Sequence, residues 1–265
     1  MKILKRVFVG LLFLFLYAPI IMLIIFSFNE STSFTKWDGF SLKWYGALLK
    51  NRTVMPALMN TLSIAAISAV ISTVIGTISA FGIHHLGKRL KSAVLYVNNL
   101  PVINPDIVTG VSLLLLFVFF KVNLGYNTLL LSHIIFNIPY VILSVLPKLK
   151  QLNPNLFEAS LDLGANPVKS FFKVILPEIM PGVISGFLMA VTLSIDDFVI
   201  SYFTAGSTNT LSIIIYTMRG QRQRPVLNAL SSLMFMSVLI LLILVNFVGS
   251  KTDKKQIQEK NERRS

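Results

Sequence analysis

Residues Glu158–Pro177 read EASLDLGANPVKSFFKVILP, a polar, amphipathic stretch set between two strongly apolar runs. Just before it, Asn153-Pro154-Asn155 makes a turn that opens a helix, and Leu156, Phe157, Ser160, Leu161 and Gly164 then recur at helical spacing. Gly164, followed by Ala165-Asn166-Pro167, is a stop signal. A second helix is expected over Val168 to Leu176, ended by Pro177 and Pro181. The pair reads as a short helix–turn–helix lying parallel to a membrane surface. Ala159, Ser160 and Gly164 are small enough for a partner's groove to come close, and Glu158 can accept hydrogen bonds from it. Periodicity alone fits an ordinary amphipathic loop equally well.

The apolar runs around this stretch set the class. The chain has 265 residues, of which 54% are hydrophobic and only 13% charged, where soluble domains carry about 25% charged residues. The mean hydropathy of +0.72 agrees, and several runs reach the roughly 20 residues needed to cross hydrocarbon. The fold expected is an all-α membrane protein. Six spans are read, at Val7–Phe28, Thr61–Ile83, Val94–Phe120, Leu129–Leu146, Pro181–Phe203 and Ala229–Val248. The first follows Lys2, Lys5 and Arg6 and is long for a signal peptide, with no small-residue cleavage site after it, so it is read as a retained span. The organisation is therefore an N-terminal span at 1–28, an outer loop at 29–60, a core at 61–249 that includes a cytoplasmic loop at 148–180, and a tail at 250–265. Trp37, Trp44 and Tyr45 mark the outer loop as interfacial, with a short helix expected near Leu42 to Leu49. The tail is charged, of mixed sign and without apolar periodicity, and is expected to be disordered.

Lys and Arg orient the spans. With the N-terminus inside, the cytoplasmic segments hold Lys2, Lys5 and Arg6, then Lys88, Arg89 and Lys91, then Lys148, Lys150, Lys169 and Lys173, and six more after Ser250. That is 16 of the 24 basic residues, a bias that places both termini and the Glu158–Pro177 loop in the cytoplasm. It also accounts for the net charge of +13 without nucleic acid as a partner, because the basic residues flank spans. The absence of cysteine excludes disulfides, thiolate metal sites and a Cys nucleophile.

Acidic residues inside spans are costly, about 2.5–3.5 kcal/mol each even on insertion scales, and need a partner or a role. Asp196 and Asp197 lie in Leu193-Ser194-Ile195-Asp196-Asp197-Phe198, roughly 22 Å from the cytoplasmic end of the fifth span. One reading is a path for a cationic substrate. The other is a brace between helices, with Ser194 or Arg219 as hydrogen-bond partners. Asp106 follows Asn98-Asn99-Leu100-Pro101-Val102-Ile103-Asn104-Pro105, whose prolines and asparagines predict a broken helix. Irregular backbone at that depth survives only against protein or a wet cavity. Asp106 is thus a cavity candidate, or the N-cap of the second half of the span.

His84, His85 and His133 fall on different parts of the chain, and no metal site is expected from them. Arg219, Arg222 and Arg224 read as a solvated outer loop, with contact to an external binding protein as the sharper alternative. No phosphate-binding loop, nucleophile elbow or HExxH pattern is present, so ATP binding and hydrolysis are not expected of this chain.

The spacing Glu158-Ala159-Ser160, Gly164, Leu176-Pro177 resembles the Glu-Ala-Ala loop of ABC importer permeases, with Ser160 in place of the second Ala and Val174 in place of an Ile. The stretch Leu193 to Ser201, Thr210-Leu211 to Arg219, Asn228-Ala229-Leu230 and Tyr17-Ala18-Pro19-Ile20 is similar to permeases of spermidine/putrescine ABC importers. The resemblance implies a type I importer fold and assigns ATPase coupling to Glu158, Ala159, Ser160, Gly164, Leu176 and Pro177. It makes Asp196, Asp197 and Asp106 the substrate-path candidates. It implies a homologous second permease subunit, two ATPase subunits that hold ATP and Mg, and an extracytoplasmic polyamine-binding protein, in a bacterial plasma membrane. No cofactor is then bound by this chain. Importers of iron, thiamine or phosphonate share parts of these motifs, and a secondary cation transporter would use the same acids as a relay.

Overall fold

The computed structural model describes residues 2–31, 36–217, 225–240 and 243. The regular elements among these are helices, apart from one isolated bridge between Asn29 and Phe40, and the chain forms two compact units, Met1–Leu58 with Ile213–Leu242 and Met59–Ser212.

The first unit begins with α1, Lys2–Ser27. Its large apolar side chains from Val7 to Tyr17 are exposed, as expected of a helix whose solvent is lipid. The helix expected in the outer loop forms as α2, Lys43–Leu49. Asn29, which is fully buried, ties together the described residues between them. Its side chain accepts from the Ser31 and Asp38 amides and donates to the Lys36 carbonyl, while Trp44 Nε1 donates to its backbone carbonyl at 2.7 Å. The Tyr45 hydroxyl then bridges Ser27 on α1, at 2.7 Å, and Ser232 on a helix at Pro225–Ile240, at 2.9 Å. That helix covers the described part of the sixth span. Apart from residue 243, the expected stretch beyond residue 240 lies outside the described residues, as do the tail at 250–265 and Arg219, Arg222 and Arg224.

The second unit holds the site. Its long helices are α3, Val54–His85, of which residues from Met59 onward belong here, and α6, Tyr126–Gln151. Between them the third span is two helices, α4 at Lys88–Ile103 and α5 at Asp106–Phe119, bent by 105°. The predicted break is therefore real, but it is sharper than a kink, and no single straight span covers Val94–Phe120. Pro105 cannot continue the hydrogen-bond ladder, and it forces Asn104 into an extended conformation (φ −74°, ψ 147°).

After α6 the chain turns through α7, Leu156–Asp162, and α8, Pro167–Ser170. A π-helical turn at Phe171–Ile175 then leads into α9, Leu176–Asp196. From Pro167 to Asp196 the helix is continuous for 30 residues. The expected stop at Pro177 and Pro181 does not occur. In the π turn the Leu176 amide reaches back five residues to the Phe171 carbonyl, and Pro177 then enters the first turn of α9, where no amide is needed. The fifth span also ends earlier than Phe203. Asp197 leaves the helix with ψ 125°, and α10 restarts at Val199–Thr204, followed by α11 at Leu211–Thr217.

The core of this unit is where α3, α6 and α9 meet. Ala69, Ala80 and Ile83 pack with Val141, Ile142, Val145, Leu146 and Leu149, and with Ile175, Ile179 and Ala190. Val141 sits between two glycines. A Cβ on Gly76 would lie 2.7 Å from Val141 Cγ1, and one on Gly186 would lie 3.2 Å from Val141 Cα. Small residues let three backbones approach closely, which is how helices associate when lipid offers no hydrophobic penalty for separation. A second cluster of Leu113, Phe117, Phe136 and Ile200 joins α5 and α10 to α6.

Gly76→Val should lower the stability of the solubilised protein by about 1–3 kcal/mol through overpacking. Gly82→Ala on the same helix, where a Cβ meets nothing within 4 Å, should leave it unchanged or slightly raised. Thermal unfolding in detergent followed by intrinsic fluorescence measures both.

Candidate functional site

Two regions carry the residues singled out by sequence, and they lie at opposite ends of the continuous Pro167–Asp196 helix.

At the first, α7 is built by local signals. Gly164 takes φ +85°, a conformation that side chains resist, and its amide bonds the Leu161 carbonyl at 2.8 Å while the Ala165 amide bonds that of Ser160. Asn166 then caps α8, its side chain accepting from the Lys169 amide at 2.7 Å. The loop has an inner and an outer side. Ser160 is buried and faces inward, with its hydroxyl bonded to the Phe157 carbonyl and to Ser170 on α8. This corrects the expectation that Ser160 faces a partner: its small size serves packing within the loop. Leu176 also turns inward onto the α3–α6–α9 core. Phe157 completes the seating, meeting Phe81 and His85 of α3 at ring-centroid distances of 5.4 and 5.5 Å.

Glu158, Ala159, Gly164 and Pro177 are exposed. Sequence reasoning missed their apolar companions. Leu163 is 89% exposed, Val168 65% and Phe172 57%. These sit on the polar-looking loop itself, away from the apolar runs, and three large apolar side chains offered outward by ten residues of chain mark a contact surface. Spacing could not have found Leu163, which follows Leu156 by seven residues and Ser160 by three and so shares their helical phase; α7 ends at Asp162, just before it.

At the other end the two adjacent acids part company. Asp196 is the last residue of α9 and is exposed. Asp197 turns in, its side chain 6% exposed. Asp197 Oδ1 accepts from the Ile200 amide at 3.2 Å, and Oδ2 accepts from the Ser201 amide at 2.7 Å and the Ser201 hydroxyl at 2.8 Å. His133 Nε2 on α6 lies 3.6 Å from the same Oδ2. Bracing is thus the geometry of Asp197, though not with the partners expected: Ser194 instead bonds Asn137 and Ser68. Asp196 sits where a carboxylate is least comfortable, at a helix C-terminus whose unpaired carbonyls already carry partial negative charge. Asp196 makes no ion pair among the described residues, so its charge adds to the negative end of α9.

Asp106 does not cap α5 with its side chain. Pro105 holds the cap position, and Asp106 is the first residue inside, where the positive end of the helix favours its charge. It is exposed at the 105° bend. The structure therefore brings Asp197 and His133 together, and keeps the coupling-loop residues a full helix length from Asp196. Among the described residues no cluster of three or more His or acidic side chains could hold a metal.

Known proteins agree with this architecture. The chain is 38% identical over 255 residues to the putrescine transport system permease protein PotI of Escherichia coli strain K12, covering 93% of this chain and 91% of that one. It is 36% identical over 257 residues to the spermidine/putrescine transport system permease protein PotC of the same strain, covering 96% of each. PotC of Haemophilus influenzae is 35% identical over 251 residues, covering 94% of this chain and 98% of that one. Among solved structures, a bacterial ABC transporter that imports the acidic polysaccharide alginate superposes with a TM-score of 0.70 at 15% identity, over 96% of this chain and 95% of that one. The MetNI methionine ABC transporter does so with a TM-score of 0.62 at 18% identity, over 80% of this chain and 99% of that one. These two share the fold. With residues 72–255 matching the profile of that family, this multi-pass helical chain belongs to the binding-protein-dependent transport system inner membrane components.

Proposed function

We propose that this chain is the permease subunit of an ATP-driven importer of polyamines, moving spermidine or putrescine across a bacterial plasma membrane by alternating access. The observation that carries the cargo is Asp196, an exposed carboxylate at the negative end of α9. A di- or polyamine offers ammonium groups to such a spot, and neutral or anionic cargo gains nothing there. The names of relatives 35–38% identical over nearly the whole chain support the same cargo. They weigh against iron, thiamine or phosphonate, and membership of a binding-protein-dependent family weighs against a secondary cation transporter. Asp106, at the bend between α4 and α5, is a second contact along the path.

In this reading six spans cross the membrane with both termini in the cytoplasm, as the distribution of Lys and Arg supports. A homologous permease completes the pathway, a binding protein delivers the polyamine from outside, and two ATPase subunits hold ATP and Mg. Glu158, Leu163, Val168 and Phe172 form the face that enters the ATPase, with Ser160 and Phe157 fastening that face to the permease. Coupling is then mechanical. The loop and Asp196 share one helix of 30 residues, about 45 Å long. Displacing the loop tilts a rod whose far end carries the carboxylate, so closure of the ATPases changes the side on which Asp196 is accessible.

Leu163→Asp and Glu158→Arg should each abolish co-purification of the ATPase while leaving the permease folded, because a truncated anchor at an interface costs about 2–4 kcal/mol. Retention of the ATPase by both variants would overturn the coupling assignment. Asp196→Asn should lower labelled spermidine uptake in proteoliposomes about tenfold with the complex still assembled, the loss expected when one charge-assisted hydrogen bond is removed. Unchanged uptake, or equal inhibition by a neutral competitor, would remove Asp196 from the path.

A further inference from the structure

Asp196 stands beside a break, yet the chain on both sides of it is held by a single helix. Only Asp197 and Phe198 separate α9 from α10. On the far side of the break, Asp197 closes the first turn of α10 through the Ile200 and Ser201 amides, which have no partners within that helix. The polarity of the remaining contacts follows from proton counting. The Ser201 hydroxyl has one proton, and it goes to Asp197 Oδ2 at 2.8 Å. Ser201 Oγ can then only accept from His133 Nε2, 3.0 Å away, so His133 carries a proton on Nε2. The whole node is out of solvent, with the His133 side chain 2% exposed. On the near side, Asn137 Nδ2 donates to Ser194 Oγ at 2.8 Å, and Ser194 in turn contacts Ser68 of α3. His133 and Asn137 are four residues apart, on one face of α6. The same face therefore grips the chain two residues before Asp196 and, through Ser201, immediately after it.

We infer that His133 and Asn137 are positioning residues that set the direction of the Asp196 carboxylate by clamping the α9–α10 break from both sides. The inference rests on the reading of Asp196 as the contact for cationic cargo. It assigns different work to the adjacent acids: Asp197 is the internal pin, and Asp196 is the group the pin holds out. It also explains why a neutral imidazole suits the node. One nitrogen is needed as a donor to Ser201, and the other, Nδ1, is buried without a hydrogen-bond partner among the described residues, where a bare lone pair is less costly than an unmet N–H.

The test uses the complete importer, reconstituted in proteoliposomes, with labelled spermidine as the cargo. His133→Leu should raise the transport KM about tenfold and leave kcat within about twofold, the loss expected for one buried hydrogen bond that orients a binding group. His133→Gln, which can still donate to Ser201, should recover most of that loss. In an Asp196→Asn background His133→Leu should add less than about twofold, because its effect runs through a carboxylate no longer present. An equal, multiplicative loss in both backgrounds overturns the inference and leaves Asp196 in the path. A complex that fails to assemble with both Leu and Gln overturns it too, since the node would then serve only the fold. Normal uptake by Asp196→Asn alone removes the cargo contact on which it depends, a result distinct from the others.

Discussion

Hydrocarbon offers no hydrogen bonds, so a helix crossing it must either present apolar side chains or find its polar partners inside the protein. In this chain α6 supplies those partners. Val141 fills the space between Gly76 and Gly186, drawing α3 and α9 close enough that hydroxyls can meet. One turn away Asn137 reaches Ser194 and Ser68, and a further turn away His133 reaches Ser201. The steric contact and the polar contacts depend on each other. Without the glycines, the side chains of Ser68 and Ser194 would not lie 3.1 Å apart, and unmet polar groups in that interior would each cost about 1–3 kcal/mol.

Much of the architecture is legible in sequence because a membrane simplifies the code. Long apolar runs and basic flanks locate spans, and Pro105 with its neighbouring asparagines locates the bend. Gly164 was readable as a stop, since few residues tolerate its backbone conformation. What sequence could not convey was continuity. Pro177 and Pro181 normally end a helix, and whether they do depends on a π turn that has no reliable residue signature. The same limit applied at the Asp196-Asp197 pair. Two identical side chains in adjacent positions differ only in what surrounds them, and His133 and Ser201 are distant from them or separated by a helix start. The inward role of Ser160 was hidden for the same reason, because its partner Ser170 belongs to the next helix.

The loop at Glu158–Pro177 joins these scales. Its inner face is part of the core, through Phe157, Ile175 and Leu176. Its outer face carries apolar side chains that the described residues do not cover. A segment fastened on one side and open on the other passes force well, since packed interiors shift as blocks and do not deform smoothly.

The π turn at Phe171–Ile175 has a geometric consequence of its own. Accommodating one residue beyond an α-helical turn changes the angular phase of everything that follows by about 100°. The stripe that α8 presents is therefore out of phase with the stripe that α9 presents. A single amphipathic pattern drawn from Pro167 to Asp196 would misassign the faces of one half. Deleting one residue of the turn other than Phe172 would restore an unbroken α-helical pitch and rotate the loop about the helix axis, turning Val168 and Phe172 away from their present outward direction while leaving every remaining side chain chemically intact.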